Sequence, residues 1–109
     1  MSLLEAYVEG LREGDAAKVG SVFSDEALFH DEAPCTVGMD PIHLEGRAAI
    51  VENFAKLLAS GGMTIDNVAF NDNAMRYDIV MSPELSICCL GVYKEEDGKI
   101  VEYNVTAVG

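Results

Sequence analysis

From residue 63 onward the sequence carries one strand pattern after another, and this stretch restricts the fold more than any other. Strand-like runs rich in β-branched, aromatic and other apolar residues cover about 63–70, 74–82, 85–94 and 99–108, bounded by turn residues as β-strands are. The breaks between them are turn-formers: Asn71-Asp72-Asn73, Ser82-Pro83-Glu84 and Asp97-Gly98. Glycine, asparagine and aspartate tolerate the positive φ of tight hairpins, and proline cannot donate to a ladder. Strands joined this tightly run antiparallel, because a parallel return needs a long crossover. Met75, Tyr77, Ile79 and Met81 share one face of the second strand, and Arg76 and Asp78 the other. In the third strand Ile87, Cys89 and Gly91 alternate with Cys88, Leu90 and Val92, so both faces are apolar. A sheet covered on one side alone should alternate apolar with polar. The second face therefore needs a cover, and for a chain of 109 residues the nearest candidate is another copy. The pattern predicts a symmetric homodimer through the sheet.

The first half reads as helices around one strand. Ser2 and Glu5 have capping-box spacing, and Leu4, Tyr7, Val8 and Leu11 form the apolar stripe of a first helix. Gly14 stops it and Asp15 caps a short second helix with Val19, Val22 and Phe23 on one side. Ser24, Asp25 and Glu26 read as a turn. Ala27 to Asp31 is a strand with Phe29 and Asp31 on one face, and Leu28 and His30 on the other. Glu32 to Pro41 is a loop, followed by a short edge strand over Ile42 to Glu45. Gly46 opens a third helix whose stripe is Ile50, Phe54, Leu57 and Leu58, ended by Gly61 and Gly62. Three helices followed by a run of strands imply an α+β fold: a curved antiparallel sheet wrapped around the helices of the N-terminal half. Such a sheet makes a cone with an open mouth, which is a ready pocket.

Composition narrows the partners. The length suits a single domain over residues 1–109, and half the residues are hydrophobic, enough for a packed core. Seven basic residues against nineteen acidic ones give a net charge of −12. That leaves no basic footprint for nucleic acid and disfavours anionic membrane surfaces. No apolar run approaches the roughly 20 residues of a membrane helix, and the N-terminus opens on an amphipathic helix instead of a secretory leader. Three cysteines, Cys35, Cys88 and Cys89, are an odd number, and the adjacent pair points to opposite faces of a strand. They read as reduced thiols of a cytoplasmic protein, filling space as small hydrophobes. His30, Asp31, Glu32, Cys35 and His43 are all ligand types, but without HxH or CxxC spacing they do not specify a metal site, and neither metal nor cofactor is expected.

Three stretches carry a family resemblance: residues 6–15 (Ala-Tyr-Val-Glu-Gly-Leu-Arg-Glu-Gly-Asp), 23–27 (Phe-Ser-Asp-Glu-Ala) and 46–50 (Gly-Arg-Ala-Ala-Ile). With the element order, they make the chain resemble the nuclear-transport-factor-2-like (NTF2-like) superfamily. Within it the resemblance is to ketosteroid isomerases and SnoaL-like, polyketide-cyclase-like proteins. In the isomerases a tyrosine on the first helix donates a hydrogen bond to the substrate carbonyl, and an aspartate at the end of the first strand moves the proton. Tyr7 and Asp31 occupy the matching places. The resemblance implies Asp31 as base and Tyr7 as donor, since removing a proton beside a carbonyl needs both a base and a partner for the charge developing on oxygen. Two features depart from the isomerases. Their second acid, on a late strand, falls in the region of Cys89-Leu90-Gly91, which has no carboxylate, and a supporting tyrosine falls at Phe54. The loop between Asp31 and Gly46 is also longer.

Phe29, Phe54, Met75, Tyr77, Ile79 and Met81 are the expected walls of the pocket. Tyr103 and Asn104 point to opposite sides of the last strand, so one of the two can reach it, and Tyr103 joins the candidates. The structural alternative for Asp31 is a strand-end carboxylate in solvent or paired with Arg47. For Tyr7 it is a core tyrosine with its hydroxyl at the edge. Three activities fit: an enzyme moving a proton in a small apolar or cyclic carbonyl compound, a non-catalytic binder of such a molecule, or an interaction module with no enclosed cavity.

Overall fold

The computed structural model describes residues 2–108; residues 1 and 109 of the expected single domain lie outside them. Helix α1 spans Leu3–Glu13, with the Ser2 hydroxyl accepting from the Glu5 amide at its start. Its stripe of Leu4, Tyr7, Val8 and Leu11 is buried. Asp15 caps α2 (Ala16–Gly20) by accepting from the Lys18 amide. Strand β1 (Phe23–Asp31) leads through a 3-10 turn at Ala33–Val37 to β2 (Ile42–Glu45), and α3 follows over Arg47–Leu57. Gly46, at the N-cap of α3, has φ 94°, a region that glycine alone enters without cost. Four further strands complete the chain: β3 (Thr64–Asn71), β4 (Ala74–Ser82), β5 (Leu85–Glu96) and β6 (Lys99–Ala107).

The six strands form one sheet in the order β2-β1-β6-β5-β4-β3. The hairpins β3–β4, β4–β5 and β5–β6 are antiparallel, as the turn residues require. β1 and β6 run parallel, with Phe29 opposite Tyr103 and Asp31 opposite Val105. The sheet is therefore antiparallel except at this one pair. A pairing between strands some seventy residues apart leaves no local mark in the sequence.

The second helix is shorter than its apolar pattern suggests, and Phe23 belongs to β1, not to that helix. Ser24, Asp25 and Glu26, expected as a turn, are also strand residues. The reason is an irregularity in the β1–β6 register between Phe23 and Leu28. A bulge of this kind lets polar residues ride in a strand without pairing regularly, so they mimic a turn.

The helices cover one face of the sheet. The core between them is aromatic: the Tyr7 ring meets Phe23, Phe54 and Tyr103 at centroid distances of 6.0, 6.0 and 5.3 Å. Phe29 packs on Phe54 at 5.5 Å and on Tyr103 at 5.7 Å. Edge-to-face pairs such as these add to simple burial. The C-terminal end of α1 is tied to β3 by the Arg12 guanidinium, which donates to the Ile65 carbonyl at 2.6 Å, and by the Met63 amide, which donates to the Leu11 carbonyl at 2.8 Å. This tie fixes α1, and with it Tyr7, over the sheet. No helix among the described residues is long and apolar enough to cross a membrane.

Candidate functional site

Asp31 ends β1 where the chain turns away from the sheet. Its Oδ1 accepts from the Ala33 amide at 2.8 Å, an Asx turn that starts the 3-10 segment. The Glu32 amide donates to the Val105 carbonyl at 2.9 Å, anchoring the same point to β6. The side chain is half-buried. Burial pushes its pKa above the ordinary carboxylate value, while the Ala33 amide and the nearby His30 pull the other way. Arg47, the alternative partner, pairs with Asp25 instead. A carboxylate partly withdrawn from water is a stronger base than a solvated one.

Tyr7 sits in the middle of the buried stripe of α1 and is 2% exposed. Burial raises its pKa well above that of a free phenol, and the neighbouring Tyr103, Asp31 and Cys89 add to the effect. The phenol is consequently a neutral hydrogen-bond donor at any ordinary pH.

Both line one cavity of about 250 Å³. α1 supplies Tyr7 and Leu11, α3 supplies Phe54 and Leu57, and β4 supplies Tyr77, Ile79 and Met81. The segment after Asp31 contributes Ala33, Pro34, Val37, Met39, Asp40 and Ile42, with Met63 and Ile87 closing the wall. The polar side-chain groups of this lining are the carboxylates of Asp31 and Asp40 and the phenols of Tyr7 and Tyr77, and it contains no lysine, arginine or histidine. An apolar pocket with a few convergent polar groups is the usual form of a small-molecule site.

Among the sequence candidates, Asp31, Tyr7, Phe54, Tyr77, Ile79 and Met81 are brought together around this space. Phe29, Met75 and Tyr103 point to the same side of the sheet but are at most 1% exposed, packed in the core beneath the cavity. Asn104 faces out and bonds Glu102. The pocket is expected to depend on the loop over 32–45, whose path the sequence does not give; the structure shows that Val37, Met39 and Asp40 are among the residues it brings to the cavity.

The remaining candidate groups lie elsewhere. Cys89 is fully buried, and burial first of all pushes its thiol up to about 12, so it stays protonated and unreactive at neutral pH. Cys35, Cys88 and Cys89 are all free. His30 bonds Glu32 at 3.1 Å and stacks near His43 at 5.6 Å, on the rim of β1 and β2. Among the described residues no three such side chains gather in metal-binding geometry.

Comparison with known proteins places the fold. The family model of the SnoaL-like domain matches residues 4–103. Among solved structures, an NTF2-like protein of unknown function from Mesorhizobium loti superposes with a TM-score of 0.76 at 19% identity, covering 98% of this chain and 88% of that one. A protein from Sphaerobacter thermophilus gives a TM-score of 0.74 at 12% identity, covering 98% and 94%. A hypothetical protein from Catenulispora acidiphila with a ketosteroid isomerase-like fold, in complex with trimethylamine, gives 0.67 at 13% identity, covering 95% and 83%. Identities this low speak for the fold alone. No curated protein matches the chain.

Proposed function

The chain belongs to the SnoaL-like domain family, and from that premise we propose that it binds a small apolar or cyclic carbonyl compound and moves a proton beside the carbonyl. The observation that carries this reading is the shared cavity: Asp31, raised by burial, and Tyr7, a neutral phenol, line the same apolar space. In this reading Asp31 takes the proton from the carbon next to the carbonyl. The electron pair moves into the developing enolate, and Tyr7 donates a hydrogen bond to its oxygen. Return of the proton to a different carbon of the enolate system completes an isomerisation; alternatively the enolate carbon attacks a second carbonyl of the same molecule, and the proton passes from Asp31 to the alkoxide so formed, closing a ring. A neighbour of the same fold, in complex with trimethylamine, supports a small-molecule role for this fold.

The working unit in this proposal is one domain over the chain, paired with a copy through the outer face of the sheet. Leu28 and Val92 stand there 38% and 39% exposed, with the half-buried Leu90 beside Val92, and large exposed apolar residues on a sheet face favour a partner. The three free thiols fit a reducing cytoplasm. The test is Asp31→Asn, whose Oδ1 can still accept from Ala33. A variant that binds ligand as before but no longer transfers the proton supports an enzyme. Unchanged proton transfer removes Asp31 as the base. No catalysed transfer in the wild type, with ligand bound, leaves a binding protein.

A further inference from the structure

The cavity lining includes several exposed residues, most of them apolar, with the Asp40 carboxylate among them. Eight large apolar side chains stand exposed among the described residues, and four of them line this cavity. Met39 is 65% exposed, Met81 56%, Leu57 49% and Val37 40%. They come from three separate elements, the loop after Asp31, α3 and β4, and converge on one opening. Scattered exposed apolar residues need no explanation, but half of them gathered on one cavity do. The cavity volume of about 250 Å³ is also below the roughly 300–1,000 Å³ typical of sites that enclose a whole drug-sized ligand. The walls carry two carboxylates and no basic side chain, in a chain of net charge −12.

Resting on the carbonyl reading above, we infer that the ligand is an uncharged carbonyl compound longer than the cavity, with its head at Asp31 and Tyr7 and an alkyl tail that leaves through the mouth and lies across Val37, Met39, Leu57 and Met81. The rim is continuous with the cavity wall, so one apolar molecule can cover both. An acid of the same shape is disfavoured, because it would bring a third negative charge to a lining with nothing to neutralise it.

The experiment is calorimetric titration with 4-alkylcyclohexanones, from methyl to hexyl, and the matching 4-alkylcyclohexanecarboxylates at neutral pH. Full burial strengthens binding about fourfold per methylene, so a tail half-covered on an open rim should gain about twofold for each methylene added. In the Met39→Gln, Met81→Gln double variant, whose substituted side chains are largely exposed, that gain per methylene should fall toward none. Each carboxylate should bind at least tenfold more weakly than its ketone. If the methyl ketone binds and longer ones gain nothing, or if the gain survives in the double variant, the tail assignment fails while the carbonyl reading stands. If a carboxylate binds as well as its ketone, the uncharged class is wrong. If no ketone binds, the carbonyl reading itself fails and takes this inference with it. A double variant that changes oligomeric state but not the chain-length gain would show that the rim is buried by a second copy, and would overturn the assignment.

Discussion

The Tyr103 hydroxyl occupies the space into which any side chain at position 91 would project: a β-carbon on Gly91 would collide with that phenol. The Tyr103 ring cannot swing aside, because Tyr7, Phe23 and Phe29 hold it from three directions. Packing against Tyr103 therefore excludes any side chain, an acid included, at position 91. Gly91→Ala should destabilise the fold by about 1–3 kcal/mol, the usual cost of overpacking. The Tyr103 hydroxyl is buried, with the Tyr77 hydroxyl as its nearby hydrogen-bonding neighbour, so Tyr103→Phe should cost no more than about 1 kcal/mol. Urea unfolding of both variants checks the pair of outcomes.

Asp31 makes the stability of the protein depend on pH in a direction that burial dictates. Its folded pKa lies above the ordinary carboxyl value, so the folded state favours the protonated form. The stability this contributes is full below the ordinary value and is lost as pH rises through the raised one. Asparagine cannot ionise. Asp31→Asn should thus have the higher urea midpoint at about pH 7, and the two proteins should converge at about pH 3.5. Equal midpoints at both values would mean that the carboxylate is fully solvated.

Arg12 joins α1 to β3 through its bond to the Ile65 carbonyl. Arg12→Met keeps the aliphatic stem and removes the donor, and should cost about 1–2 kcal/mol. Because the same tie fixes the end of the helix that carries Tyr7, ligand affinity should fall as well. Thermal unfolding and calorimetric titration on one preparation read both effects.

The outer sheet face supplies a test of pairing. Val92 is exposed, so Val92→Asp leaves the core intact while placing a charge at the centre of the proposed contact. Sedimentation should show wild type at twice the chain mass and the variant at the chain mass. A wild type that sediments as a monomer at tens of micromolar would remove the dimer.

Local signals carried most of the fold. Ser2 with Glu5, Asp15 and Asp97-Gly98 mark caps and turns that depend only on neighbouring residues, and α1, α2 and the β5–β6 hairpin begin or end where these residues stand. What local signals could not carry was long-range pairing and depth. The parallel match of β1 with β6 and the bulge that makes Ser24–Glu26 look like a turn both depend on a strand far away in sequence. Period two likewise tells which way Phe29, Met75, Tyr77 and Tyr103 point, but not how far each stands from solvent. Tyr77 reaches the cavity and the other three lie beneath it, because the helices cover the sheet unevenly. The loop residues Val37, Met39 and Asp40 entered the site through a chain path that no periodicity encodes.

The central claim is that Asp31 and Tyr7 act on one bound carbonyl compound. The most direct measurement is exchange of the hydrogens beside the carbonyl of a bound cyclohexanone for deuterium in heavy water, followed by proton NMR, which needs no knowledge of the natural substrate. The account predicts catalysed exchange that rises with pH through the raised pKa of Asp31, falls at least about a hundredfold in Asp31→Asn, and falls in Tyr7→Phe by about the hundredfold or more typical of losing one oxyanion donor. A ketone that binds the cavity yet exchanges no faster than in buffer, or exchanges equally fast with Asp31→Asn, would contradict it.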